Sequence, residues 1–445
     1  MKKFKLVTAL FVVYSVCVSV VAQTPSARIT PEPPIGKGVV VLKAARLVDG
    51  TGAAPINNAV VVVTDNMITA VGASGQVRVP ANAKMIDLGD VTLMPGFIDA
   101  HTHLIGRVLG DPAGDTASVR DFESFGAILS VQHARATLMA GFTSVRNVGA
   151  EGRFDDMALR KAIDEGWTPG PRIMTAGHSL GIRGGHCDEN GFRPGLLEHG
   201  IEDGIADGAD QIRAAVRYQV KYGADVIKTC ATGGVLSEGD AVGATQYSFE
   251  ELKAMVEEAN KLERKVAAHA HGTEGIKLAV RAGVSSIEHG SFLDEEGARL
   301  MKERGTFLVA TLSAAEAVER AAKTGVLKGL RAEKALAAAA AVRHAIKLAV
   351  ANKVPIALGT DAGVVPHGTN PHEFVLLVQW GGMSNMDAIV AGTSNGAKLL
   401  GWEKAGSLTN GKWADIVAVS GDPSKNIEDI QKVSFVMKNG VVYKN

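Results

Sequence analysis

Nine polar residues fall at or just beyond the ends of short apolar runs, and their types suit metal chemistry. The run "PGFIDAHTH" ends in His101 and His103, "PRIMTAGH" in His178, and "GADVIKTC" carries Lys228 near its end. His186 follows in a glycine-rich loop, "KVAAHAHG" carries His269 and His271, "VSSIEHG" carries His289, and "VPIALGTDAG" carries Asp361. Residues i and i+2 of an extended strand point the same way, so His101 and His103 can reach one ion. Neutral imidazoles suit zinc or a similar divalent metal. Each feature alone has a bland reading. A lone strand-end histidine is usually structural, and Lys228 could be a surface amine reaching water, since lysine is seldom fully buried. Recurrence of His, Lys or Asp at five strand ends is what turns the pattern into a candidate site.

The elements that must position these residues are strands alternating with helices. Between the apolar runs of residues 95–403 lie amphipathic stretches such as "GADQIRAAVRYQVKYG" and "SFEELKAMVEEANKLER", the latter opening with Ser248 and Glu251 in capping-box spacing. Eight such strand–helix units predict an α/β fold, a parallel (β/α)8 TIM barrel, in which the C-terminal strand ends converge on one face. The alanine-rich segment from Ala314 to Asn352 is long for one crossover helix and suggests a flap or interface beside the barrel mouth. Residues 38–94 and 404–445 instead read as short β runs separated by turn residues. These two segments are expected to pair into one small β-sandwich built from both chain ends.

The first residues, "MKKFKLVTALFVVYSVCVSVVAQ", place lysines before an apolar run that ends in small residues. This predicts a signal peptide over 1–22, cleaved after Ala22, then a proline-rich flexible leader over 23–37. The mature protein is therefore expected to be exported, periplasmic or secreted, with no membrane anchor left after cleavage. Formal net charge is +0, with 47 basic and 47 acidic residues. That balance offers no electrostatic reason for a nucleic-acid partner. The mature chain keeps only Cys187 and Cys230, too few for a disulfide framework. They also lack the CxxC-type spacing of a Cys/His zinc site. His133, His199 and His344 lie away from polar clusters, and His178 and His367 are rim residues without an assigned role.

In order along the chain, "PGFIDAHTH", "VIKTCATGG", "AAHAHG", "SSIEHG" and "GTDAG" resemble the metal-dependent amidohydrolase superfamily. The run "IKTCATGG" and the spacing of Lys228, His269, His289 and Asp361 resemble its imidazolonepropionase-related branch. That branch includes Xaa-Pro dipeptidases, carboxypeptidase-like enzymes and ochratoxin-hydrolysing amidohydrolases. The resemblance implies two divalent metal ions, zinc foremost. His101, His103 and Asp361 would hold the first, His269 and His289 the second, and Lys228, carboxylated by CO2, would bridge them. An ammonium between cations and in a buried site has its pKa lowered, which frees the amine to react. Asp361 would be the catalytic base that moves a proton from water to the leaving amine. His271 could replace His269 as ligand, but the spacing pattern favours His269 and leaves His271 to substrate contact. The resemblance also implies that His186 and Tyr247 help hold a substrate carboxylate, with Arg183 nearby; Tyr247 could equally pack on the barrel rim.

The resulting expectation is a zinc-dependent amidohydrolase, peptidase- or carboxypeptidase-like. It would cut the amide bond to a C-terminal amino acid with a free carboxylate, in Xaa-Pro or other dipeptides, N-acyl amino acids or ochratoxin-like amides. Hydrolysis of a cyclic amide or lactone uses the same chemistry and is the alternative. A non-catalytic envelope metal- or ligand-binding protein is the rival of another class; it has no need for Asp361 as proton carrier. Partners are then a small molecule or short peptide, and the resemblance implies a homo-oligomer, with an octamer as one arrangement.

Overall fold

A computed structural model describes residues 31–150 and 152–445; the expected signal peptide and residues 23–30 of the leader lie outside the described residues. Fifteen strands are present among the described residues. They are β1 (Val39–Leu47), β2 (Ile56–Thr64), β3 (Met67–Ala73), β4 (Lys84–Asp87), β5 (Val91–Pro95), β6 (Phe97–Thr102), β7 (Phe142–Asn147) and β8 (Arg172–Thr175). There follow β9 (Val226–Cys230), β10 (Lys265–Ala270), β11 (Ser286–His289), β12 (Phe307–Val309), β13 (Ile416–Ser420), β14 (Val433–Lys438) and β15 (Val441–Lys444). The helices are α1 (Ala117–Arg120), α2 (Glu123–Met139), α3 (Asp155–Asp164), α4 (Gly208–Lys221), α5 (Phe249–Lys261) and α6 (Thr273–Ala282). They continue with α7 (Glu295–Arg304), α8 (Leu312–Lys323), α9 (Gly329–Ala351), α10 (His372–Gln379), α11 (Asn385–Val390) and α12 (Gly396–Leu400).

Strands from both chain ends share one eight-stranded sheet, in the order β15-β14-β13-β5-β1-β2-β3, with β4 beside β1. The alternation of β1 and β2 explains its two faces. Leu42, Val61, Val63, Leu93, Ile416 and Phe435 pack on one side, whereas Val41, Val60 and Val62 pack on the other.

The central strands are parallel and run almost without polar alternation, because helices cover them. They form two sheets, β6-β7-β8 and β12-β11-β10-β9, rather than the continuous ring of eight strands expected. Single bridges join the pieces: Leu180 with Thr229, Thr102 with Ala362, and Leu308 with Ile356. The segment expected as the eighth strand exchanges backbone bonds with Leu308 on one side and with Ala100 and His101 on the other, but is not a regular strand. The reason is local. A Cβ on Gly359 would sit 2.3 Å from Val309 Cγ1 and 2.8 Å from His101 Cβ, so the backbone passes too close for a side chain. Two residues later Asp361 turns to φ 59°, which no strand accommodates.

The Ser248–Glu251 capping box forms as expected, with Ser248 Oγ accepting from the Glu251 N–H at 3.3 Å. The alanine-rich segment is two helices, α8 and α9, and Gly325 at φ 77° stands in the connection between them. No helix among the described residues is long and apolar enough to cross a membrane.

Candidate metal centre

The C-terminal ends of β6, β10 and β11 and the turn at Asp361 bring their histidines and carboxylate together. His101 and His103 leave β6 on the same side, with ring centroids 5.4 Å apart. Their Nε2 atoms lie 3.5 and 3.4 Å from Asp361 Oδ1. The rings of His269 and His289 are 4.6 Å apart, those of His101 and His289 4.9 Å, and His271 stacks on His289 at 4.9 Å. Two overlapping donor groups result, His269–His271–His289 and His101–His289–Asp361, each with ligand atoms within 4.8 Å of one another. His289 belongs to both. His271, which sequence spacing assigned to substrate contact, sits inside the first group, while His103 falls outside both, beside Asp361 and His101.

Lys228, the third residue of β9, is 3% exposed. Burial lowers its pKa to about 8, against the pull of Glu288 and Asp361 and with help from Arg146. Burial likewise holds His103 and His271 down at about 3 and His101, His269 and His289 well below the usual imidazole range. The rings are therefore neutral, the form in which imidazole donates a lone pair. Burial raises Asp361 to about 7, which Lys228 opposes.

Partners behind the rings select which nitrogen faces the centre. His101 Nδ1 lies 2.8 Å from Glu288 Oε2, His271 Nδ1 2.8 Å from Ser291 Oγ, and His289 Nδ1 2.8 Å from Thr311 Oγ1. A carboxylate only accepts, so His101 carries its proton on Nδ1 and turns a bare Nε2 inward. His101 Nε2 and His269 Nε2 are both buried without a hydrogen-bond partner among the described residues. Buried polar atoms are rarely left so; a divalent cation fits this donor set of imidazole and carboxylate. His289 (φ 68°), Thr311 (φ 48°) and Asp361 (φ 59°) all take left-handed backbone, strain of the kind that clusters at functional sites.

The sequence reading passed over the residues that support this arrangement. Glu288 is fully buried, and its other oxygen accepts from Arg146 Nη2 at 2.8 Å. Arg146 in turn donates to the Ala100 carbonyl at 2.6 Å and to Ser286 Oγ at 3.1 Å. Asp99 ties β6 to the Asp361 turn, accepting from Thr360 Oγ1 at 2.6 Å, Asn370 Nδ2 at 2.8 Å and the His101 N–H at 3.1 Å. The signal available was a charged residue inside an otherwise apolar strand: Arg146 in "TSVRNVG", Glu288 in "SSIEHG", Asp99 in "GFIDAH".

The three candidates for substrate contact besides His271 separate. His186 lies against the centre, its ring 4.2 Å from that of His269. Tyr247 is 1% exposed in the main core, and its hydroxyl donates to the Ala206 carbonyl at 3.0 Å. Arg183 is exposed, 3.8 Å from Glu198 and 3.9 Å from Asp207. Too few for a disulfide framework, Cys187 and Cys230 are nonetheless joined to each other as one disulfide. One bridge cannot staple a chain of this size, but it joins the His186 loop to the strand of Lys228. His133 stacks on His367 at 4.2 Å, with its Nδ1 2.9 Å from the Leu104 carbonyl.

Comparison with known proteins agrees with this architecture. Ochratoxinase of Aspergillus niger is 33% identical over 455 residues, which takes in 96% of this chain and 88% of the relative. A Xaa-Pro dipeptidase crystallised with methionine in its active site superposes with a TM-score of 0.87 at 38% identity, covering 92% of this chain and 100% of that one. A prolidase complexed with N-methylphosphonate-L-proline gives a TM-score of 0.83 at 30% identity over the same shares. The family model described as "Amidohydrolase family" matches residues 92–443. The chain belongs to the amidohydrolase family, with a TIM-barrel-type α/β fold and ochratoxinase and Xaa-Pro dipeptidases among its relatives.

Proposed function

We propose that the protein hydrolyses the amide bond to a C-terminal amino acid bearing a free carboxylate, using two divalent ions, zinc foremost. The observation that carries this reading is the pair of overlapping donor groups with inward-facing, buried Nε2 atoms. Relatives that act on Xaa-Pro dipeptides and ochratoxin support the substrate class.

His101, His103 and Asp361 would hold one ion, and His269 and His289 the other, with His271 close enough to complete the second set. Lys228 would bridge them as a carbamate; a buried amine with a pKa lowered to about 8 is poised for that addition of CO2. The bound ions would supply Lewis-acid polarisation of the carbonyl and a water of lowered pKa. Asp361 would take the proton of the attacking water and return it to the leaving amine. Its Oδ1 faces His101 and His103, which leaves Oδ2 to carry that proton. His186 would contact the substrate. The Cys187–Cys230 bond supports export to an oxidising compartment.

The test is hydrolysis of N-acyl amino acids, Xaa-Pro and other dipeptides, ochratoxin-like amides and lactones, before and after chelation and zinc return. Turnover of free-acid amides that stops on chelation and resumes with zinc is the expected result. Turnover of none, or turnover indifferent to chelator, removes the reading. Lys228→Ala should lose metal and activity together, with partial rescue by short carboxylic acids.

A further inference from the structure

Lys334 in α9 is 4% exposed, although a lysine in an alanine-rich helix would ordinarily point to water. Its three donors are all committed: to the Ser237 carbonyl at 2.7 Å, to Asp240 Oδ1 at 2.9 Å and to the Asp240 carbonyl at 3.2 Å. Asp240 Oδ1 also accepts from Ser237 Oγ at 2.7 Å, and its Oδ2 from the Gly234 N–H at 3.1 Å and Gln246 Nε2 at 3.2 Å. Ser237 Oγ, finally, lies 2.8 Å from Nδ1 of His186. The Ser237 hydroxyl has one proton, and the carboxylate can only accept it. The oxygen therefore accepts from Nδ1–H of His186, a tautomer assigned from the network.

Two further contacts fix the same histidine. Its backbone N–H donates to Gln246 Oε1 at 3.1 Å, and the ring lies so close to Gly234 that a Cβ there would be 2.1 Å from Cε1. Around the chain of polar groups, Val235 packs with Val318, Ala321, Leu327, Ala335 and Ala338 of the α8–α9 hairpin. The loop after β9 is thus held between the hairpin and the metal centre.

We propose that Ser237, Asp240 and Lys334 are positioning residues: they orient His186 over the centre, so that the α8–α9 hairpin governs how substrate is bound. The proposal rests on the reading of His186 as a substrate contact. It accounts for a buried lysine whose three donors are all spent on the loop after β9. The hairpin is thereby coupled to the site through Lys334, Asp240 and Ser237, independently of the covalent tether at Cys187.

The experiment uses the full-length metal-loaded enzyme and whichever free-acid amide it hydrolyses. Ser237→Ala and Lys334→Met should each raise KM about tenfold, the worth of one hydrogen bond, with kcat within about twofold. Metal content should stay at the wild-type value, and Ser237→Thr, which keeps the hydroxyl, should restore most of the KM. A merely structural role would lower the melting temperature without this KM-against-kcat split and without rescue by threonine. Unchanged KM in Ser237→Ala and Lys334→Met, where His186→Ala raises it, overturns the positioning role and leaves the functional reading standing. Unchanged KM in His186→Ala removes His186 as a substrate contact, and the proposal with it. A wild-type enzyme inactive on every substrate sinks the functional reading instead.

Discussion

Glu288 offers the sharpest perturbation of the metal centre, because the residue touches no candidate substrate and yet sets the tautomer of His101. Glu288→Gln keeps the volume but replaces one acceptor oxygen with a donor nitrogen. The carboxylate now faces two obligate donors, Nδ1–H of His101 and Nη2 of Arg146, both at 2.8 Å. One of them must meet the new amide nitrogen. If it is His101, the ring proton moves to Nε2 and the inward lone pair is lost. If it is Arg146, a guanidinium 1% exposed stands opposite a donor. Changes to such supporting partners cost about 10- to 100-fold in metal affinity, or roughly 1.4–2.7 kcal/mol. Breaking a buried ion pair costs up to about 3–5 kcal/mol of fold stability, less here because the isostere keeps some of the hydrogen bonding. Both figures sit inside the roughly 5–15 kcal/mol by which such proteins are stable, so the variant should fold. Competition against a graded series of chelators gives the metal affinity, and thermal unfolding of the chelated protein gives the stability. An affinity within twofold of wild type in a folded variant would refute the reasoning.

Three other perturbations probe separate parts of the molecule. Gly234→Ala should displace the His186 ring, since the added Cβ would lie 2.1 Å from Cε1; a raised KM at unchanged metal content is the readout. Cys230→Ser opens a loop with a sequence separation of 43, worth about 4 kcal/mol on loop-entropy grounds, measurable by denaturant unfolding and bounded by strain. Glu373 is buried, accepts from the Leu312 and Ser313 N–H groups at 2.8 and 2.7 Å, and is raised by burial to about 7. A carboxyl with a raised folded pKa contributes stability below its unfolded pKa and loses it as pH rises through the folded value. The stability of the wild type relative to Glu373→Gln should therefore fall between about pH 5 and pH 8; a difference flat with pH in melting experiments would count against the assignment.

What was legible in the sequence was short-ranged. A strand's direction and its two-residue period are local, so the histidines of "HTH", "HAH" and "EHG" could be placed at strand ends without knowing what lay opposite. The same holds for the Ser248–Glu251 cap and for the β segments at both ends of the chain. The resemblance carried by those motifs then supplied the family. Less legible were features that depend on which ends meet. Tyr247 reads equally as a substrate contact or as a packed rim residue until the Ala206 carbonyl takes its hydroxyl in the core. Two cysteines 43 residues apart read as incidental until the loop after β8 returns over β9.

By itself, then, the sequence determined the strand–helix alternation, the placement of His269 and His289 at the ends of β10 and β11, and the class of chemistry these residues suit together with Lys228 and Asp361. Tertiary structure decided how those ends group: that His289 belongs to both donor sets, that His271 joins one of them, and that Arg146 and Glu288 stand behind His101. It also decided that Lys334 reaches His186 through Asp240 and Ser237, the Lys334–Asp240 contact alone spanning 94 residues of sequence. The physical reason is the same in each case. Backbone pattern fixes where a side chain leaves its own strand, but a buried polar group is satisfied only by whatever the fold brings within hydrogen-bond reach.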